Sequence, residues 1–128
     1  MRIFKTKAFD KFAQKNHITD DDLFDAVMRA EQGLIDADLG GNIIIKQRIA
    51  REGQGRSGGF RSFIVYRLNE NSYFVAVISK NTRDNISAQE LMALKELAKA
   101  YAKLTPQQIE SQVKNGLFIE VLPEGKNE

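Results

Sequence analysis

The sequence predicts an α+β domain: an antiparallel sheet with N-terminal helices packed on one face and additional C-terminal helices. Three observations predict it. Apolar and β-branched residues run through 43–49, 60–68 and 72–80, and only Asn69-Glu70-Asn71 separates the last two, the spacing of adjacent antiparallel strands. Apolar stripes at helical spacing flank this block on both sides. At 128 residues the chain supports one core, so 1–128 reads as one domain, with a compact part over about 1–104 and an extension over 105–128.

Residues 2–6 read as a first strand, after which Ala8, Phe9, Phe12 and Ala13 fall on one helical face. Asn16-His17 interrupts. Thr19 then supplies an N-cap, Asp20, Asp21 and Asp22 fill a negative first turn, and Leu23, Phe24, Val27, Met28 and Ala30 continue a second helix towards a stop at Gly33. Gly40-Gly41 marks a turn before the strand that Ile43, Ile44 and Ile45 open. Residues 52–59 hold Gly53, Gly55, Gly58 and Gly59 among Arg, Gln and Ser and read as a loop. Beyond the strand pair, Ser87-Ala88-Gln89-Glu90 is a capping box for a helix with Leu91, Leu94, Ala98 and Tyr101 on its apolar stripe. Thr105-Pro106 starts another, Gly116 ends it, and 117–122 is an extended apolar piece suited to covering a sheet edge or meeting a partner. Tyr66, Tyr73 and Tyr101 are assigned to core packing, and the sheet face opposite the helices is expected to stay open.

Composition narrows the function classes. Hydrophobic residues at 42% and charged residues at 28% are those of a globular domain and exclude collagen-like, disordered and membrane classes. No apolar run follows Met1-Arg2-Ile3-Phe4-Lys5, so neither a signal peptide nor a spanning helix is expected and the chain is placed in the cytoplasm. The absence of cysteine removes disulfides, thiolate nucleophiles and cysteine-ligated metals. Asp20, Asp21, Asp22 and Asp25 have the spacing of a capped helix start and lack the glycine and terminal glutamate of a calcium loop. Gly53-Gln54-Gly55 lacks the strand-to-helix setting and the Lys-Ser/Thr ending of a nucleotide phosphate loop. His17, the single histidine, sits near a helix C-terminus with no second ligand type beside it. No metal and no cofactor are therefore expected.

The net charge of +2 is unevenly distributed. Between residues 46 and 61, Lys46, Arg48, Arg51, Arg56 and Arg61 face only Glu52, a local charge of +4 on a chain whose remainder is −2. Such a patch on a mildly acidic body points to a polyanion bound at one place, as nucleic acid is. Strand alternation puts Lys46 and Arg48 on one face and Ile43, Ile45 and Ile49 on the other, sets Arg61 on the side of Phe63, Val65 and Arg67, and brings Lys80 to a strand end after Val75, Val77 and Ser79. These cations can converge over one sheet surface. Arginine forks match phosphate oxygens in pairs, and lysine adds a point charge.

If such a site cleaves RNA, the cheapest route is attack by the substrate's own 2′-hydroxyl on the adjacent phosphate, which leaves a 2′,3′-cyclic phosphate and a 5′-hydroxyl. Arg48 and Arg61 are the candidates to stabilise the charge of the five-coordinate phosphorane. Lys46 or Lys80 can take the 2′ proton only if cationic neighbours lower its pKa, so the acid and base stay open. Arg51, Arg56, Asn81 and Arg83 are placed along the RNA path.

The stretch Lys46-Gln47-Arg48-Ile49-Ala50-Arg51-Glu52-Gly53-Gln54-Gly55-Arg56-Ser57-Gly58-Gly59-Phe60-Arg61 resembles the signature of HigB-like toxins in the RelE/ParE superfamily, and Ser79-Lys80-Asn81 resembles its second motif. The element order agrees over about residues 1–104. The resemblance implies a RelE-like fold and the toxin of a type II toxin–antitoxin system, a ribosome-dependent, metal-independent mRNA endonuclease that inhibits translation. It also implies a cognate antitoxin, expected to be a helix-turn-helix protein that binds operator DNA. By position it puts catalytic roles on Lys46, Arg48, Arg61 and Lys80. Many relatives carry a tyrosine or histidine general acid after the last strand. Here Asn81-Thr82-Arg83-Asp84-Asn85-Ile86 has neither, and Arg83 and Asp84 stand in that stretch instead.

Two other readings compete. A ParE-like gyrase-inhibiting toxin would share the scaffold without needing the clustered Lys46, Arg48 and Arg61. A non-catalytic nucleic-acid-binding regulator would bind in a salt-sensitive way without cutting.

Overall fold

The computed structural model describes residues 1–51 and 55–124, with the backbone alone described for 51 and 55–58. Among the described residues the elements run β1 (Arg2–Thr6), α1 (Lys7–Lys15), α2 (Asp20–Glu31), β2 (Ala37–Gly40), β3 (Ile44–Arg51), β4 (Gly55–Leu68), β5 (Asn71–Ser79), α3 (Ala88–Ala102), α4 (Pro106–Lys114) and β6 (Phe118–Glu120). The fold is α+β, as the sequence predicts. Six strands form one sheet in the order β2-β3-β4-β5-β1-β6. The β1–β5 pair is parallel and the others antiparallel, so the sheet is mixed.

Local chemistry accounts for the helix starts. Thr6, Thr19, Ser87 and Thr105 each accept a backbone N–H at an N-cap, and the last three complete reciprocal capping boxes with Asp22, Glu90 and Gln108. Asn69 and Glu70 both adopt positive φ, 49° and 69°, which is the two-residue turn that matches the twist of the β4–β5 hairpin.

The sheet is packed on both faces. Phe9 and Ala13 of α1 and Leu23, Ala26 and Val27 of α2 bury Ile45, Ile49, Phe60, Ile64 and Phe74 on one side. Leu94 and Ala98 of α3 and Ile109 of α4 bury Phe4, Ile44, Phe63, Val65, Tyr73 and Ile78 on the other. This corrects the expectation of an open second face. Phe60 and Ile64 alternate with Phe63 and Val65 along β4, so the strand carries apolar side chains on both sides and needs two covering layers. Tyr73, Tyr101, Phe4 and Phe118 form an aromatic cluster in the second layer, with Tyr73 and Tyr101 4.8 Å apart.

The expectation of a loop over 52–59 is also revised. Residues 52–54 lie outside the described residues, but β4 already begins at Gly55, where it pairs with Arg51 after a register shift beyond Ile49. Cross-strand pairing with β3 overrides the poor strand preference of glycine. At the other edge β6 pairs antiparallel with β1, so 117–122 closes that side of the sheet.

One buried ion cluster ties the termini together. The Lys5 ammonium, its side chain 9% exposed, contacts Asp20 at 2.8 Å and Asp10 at 3.0 Å, and the second Asp20 oxygen accepts the Leu122 N–H at 2.9 Å. Burial works against the Lys5 charge, but the hydrogen bonds to Asp20 and Asp10 outweigh it and raise its pKa. Lys5→Ala leaves two carboxylates uncompensated and is expected to cost about 3 kcal/mol, read from the midpoint of urea unfolding. Because the folded pKa is raised, this contribution is complete below the ordinary lysine value and is lost as pH rises through the folded one. On the alkaline side, the stability gap between wild type and Lys5→Ala should therefore narrow as pH rises through the folded pKa.

Candidate active site

The candidate site grows out of strand register. Alternation turns Ile45, Gln47 and Ile49 towards α2 and leaves Ile44, Lys46 and Arg48 on the α3 side. Lys46 stands opposite Phe63, and Arg48 stands opposite Arg61, whose β5 neighbour is Ile78. Two residues past Ile78, Lys80 donates its backbone N–H to the Gly59 carbonyl at 3.3 Å, which fastens the end of β5 beside the start of the Phe60-Arg61 segment. Lys46, Arg48, Arg61 and Lys80 are thus brought to one end of one face, with Arg61 on the central strand. The apolar residues further along that face, Ile44, Phe63, Val65 and Tyr73, are buried under α3 and α4, whereas Arg48 is 45% exposed and Lys80 is at the surface.

Arg48 and Arg61 sit directly opposite across the ladder, a spacing of about 5 Å at which like charges repel. Asp36 relieves one of them. Its Oδ1 accepts Arg48 Nε at 3.2 Å and Nη2 at 3.0 Å, while its Oδ2 accepts the Arg48 backbone N–H at 2.7 Å. Burial pushes the Asp36 carboxyl up, but the hydrogen bonds from the Arg48 backbone and guanidinium outweigh it and hold the pKa below the usual carboxylate value. Arg29, 13% exposed, adds Nη2 to the Arg48 carbonyl at 2.6 Å and Nη1 to Asp36 at 3.6 Å.

Beneath this network lies Gln47, fully buried. Its Nε2 donates to the Ala26 and Leu34 carbonyls at 2.9 and 3.1 Å, and its Oε1 accepts the Asp36 N–H at 2.7 Å. The amide pins the segment that carries Asp36 against β3. Gln47, Asp36 and Arg29 were not among the residues singled out from the sequence. Gln47 had a signal, since it is the polar position in an apolar set at Ile45 and Ile49; Asp36 had none, because nothing local links it to Arg48.

The remaining predicted residues are distributed differently. The side chains of Arg51 and Arg56 lie outside the described residues. Asn81 is exposed in the turn after β5, with its backbone N–H on Ser79 Oγ at 3.3 Å. Arg83 forms a two-pronged pair with Glu90, both contacts at 2.7 Å, and lines a cleft of about 380 Å³ with Phe9, Phe12, Val77 and Ile86 on the β1 side of β5. It is therefore held by α3 rather than gathered with the other cations. Asp84 is exposed. His17 sits at the end of α1 with φ +58°, and Asp22 is consumed by the α2 capping box.

Chemically, cationic side chains gathered on one sheet face suit a polyanion such as a phosphodiester backbone. Replacing Gln47 with Leu leaves the Leu34 carbonyl and the Asp36 N–H without this partner and removes the extra bond to the helical Ala26 carbonyl; a loss of about 3 kcal/mol is expected in denaturant unfolding. The Arg83 guanidinium, with help from the Ser87 backbone N–H, holds Glu90 at about 2. Its stabilising contribution is present above the ordinary glutamate pKa and fades as pH falls through the folded one. In an NMR titration the Glu90 carboxyl should move back towards the ordinary value in Arg83→Ala.

No helix among the described residues is long and apolar enough to cross a membrane. No curated protein and no solved structure matched the chain. A family model described as the RelE toxin of the RelE/RelB toxin–antitoxin system matches residues 1–121, nearly the whole length and all six strands. The chain therefore belongs to the RelE toxin family, the toxin component of a toxin–antitoxin pair.

Proposed function

We propose that this RelE-family toxin is a ribosome-dependent mRNA endonuclease of the HigB-like branch, working as one domain over 1–128 in the cytoplasm. The observation that carries the reading is the register that brings Lys46, Arg48, Arg61 and Lys80 towards one end of the sheet, with Arg61 on the central strand. In this reading the scissile phosphate lies over Arg61. Arg48 and Arg61 stabilise the equatorial oxygens of the phosphorane, and Lys80 fixes a neighbouring phosphate. The 2′-hydroxyl of the message attacks the adjacent phosphorus as the bond to the 5′ oxygen breaks. Its proton goes to a base and the departing oxygen takes one from an acid, giving a 2′,3′-cyclic phosphate and a 5′-hydroxyl without an activated water.

Lys46 is the better base candidate of the two lysines, because it is half-buried whereas Lys80 is exposed. Arg51, Arg56 and Asn81 extend the RNA path. The ribosome holds the message in register, and the partner that silences the toxin is a helix-turn-helix antitoxin that also binds operator DNA.

The test is inducible expression of wild type and Arg61→Ala in bacteria, mapping new message 5′ ends within minutes of induction. Growth arrest with in-frame cuts that fall at least about 100-fold in the variant is the expected result. Arrest with intact messages and damaged DNA would favour a gyrase poison of the ParE kind, and salt-sensitive RNA binding without cuts would favour a plain binding module.

A further inference from the structure

We propose that Asp36 is a positioning residue of the cleavage site: from the β2 side of β3 it holds the Arg48 backbone and guanidinium in one place. This rests on the reading of Arg48 and Arg61 as the phosphate-stabilising pair.

The geometry is specific. A surface ion pair needs one contact, whereas Asp36 makes three to Arg48, two to the guanidinium and one to the backbone N–H, so it fixes where the side chain starts as well as where it ends. Its carboxylate is 19% exposed, against 45% for Arg48, so the anchored end is the sheltered one and the guanidinium stays accessible. Asp36 does not move freely either. Its N–H is fixed by the fully buried Gln47, and Arg29, itself pinned to Asp25 at 3.0 Å, flanks it and donates to the Arg48 carbonyl.

The chain of fixed contacts runs from the core amide through Asp36 to the exposed guanidinium. Without the carboxylate, Arg48 loses both guanidinium contacts and one bond to its backbone N–H, so its fork is no longer held in one place. Positioning of this kind governs the rate of the chemical step rather than the affinity for RNA, because the long-range attraction of the patch survives while the alignment of one fork is lost.

The experiment is single-turnover cleavage of message on programmed ribosomes by full-length wild type, Arg61→Ala, Arg48→Ala, Asp36→Asn and the Asp36→Asn/Arg48→Ala double variant. Asp36→Asn keeps an acceptor for the Arg48 N–H and should fold, which its thermal midpoint verifies; Asp36→Ala provides a second variant. The expected result is a rate roughly 10- to 100-fold below wild type for Asp36→Asn, with half-saturating toxin concentration changed by less than about twofold. In the Arg48→Ala background the same substitution should change the rate by less than about twofold, since the residue it positions is gone. An equal loss in both backgrounds, or a wild-type rate in Asp36→Asn, overturns the proposal while leaving the nuclease intact. Full cleavage by Arg61→Ala and Arg48→Ala, or no cleavage by wild type, overturns the underlying reading and this inference with it.

Discussion

Strand β3 presents opposite chemistries from adjacent residues, and the period-two pleat is what keeps them apart. Ile45, Gln47 and Ile49 face α2 and are buried, while Lys46 and Arg48 emerge on the α3 side. A slip of one residue against β4 would drive two cations into the α2 core and put the isoleucines on the site. Register is therefore specified by the cost of burying charge as much as by the gain from burying Ile45 and Ile49. The same register decides which residue of β4 meets Arg48, and that residue is Arg61.

Gathering cations on a small face is electrostatically unfavourable, and the chain offsets it in two ways. Asp36 neutralises Arg48 from the sheltered side, and Arg48 itself stays 45% exposed, so water also screens its charge. Arg83 is treated differently. Its pairing with Glu90, which also closes the α3 capping box with Ser87, joins it to a helix start on the far side of β5. Cations that look equivalent in a list of basic residues thus divide into those presented on the sheet and those consumed by local structure.

Much of this was legible in the sequence. The apolar stripes, the capping signals at Thr19, Ser87 and Thr105 and the Asn69-Glu70 turn are local, and each appears where expected. The alternation of Ile45, Lys46 and Arg48 was enough to predict a cationic face. What could not be read is non-local. The helices on the second face follow from β4 being apolar on both sides, a feature that also fits a single-layer strand run until its neighbours are known. The parallel β1–β5 pair and the β1–β6 closure join residues far apart in sequence. Asp36 lies 12 residues before Arg48 with the whole of β2 between them, so no motif links them. Family membership supplies the toxin role, whereas the network around Arg48 depends on how the chain folds.

The proposed cleavage depends on guanidinium and ammonium groups stabilising an internal attack by the 2′-hydroxyl. The most direct test is the chemistry of the fragment ends released by purified protein from message on programmed ribosomes. The account predicts a 2′,3′-cyclic phosphate on the upstream fragment and a 5′-hydroxyl on the downstream one. A free 3′-hydroxyl facing a 5′-phosphate would contradict it, because those ends require an activated water rather than the neighbouring hydroxyl.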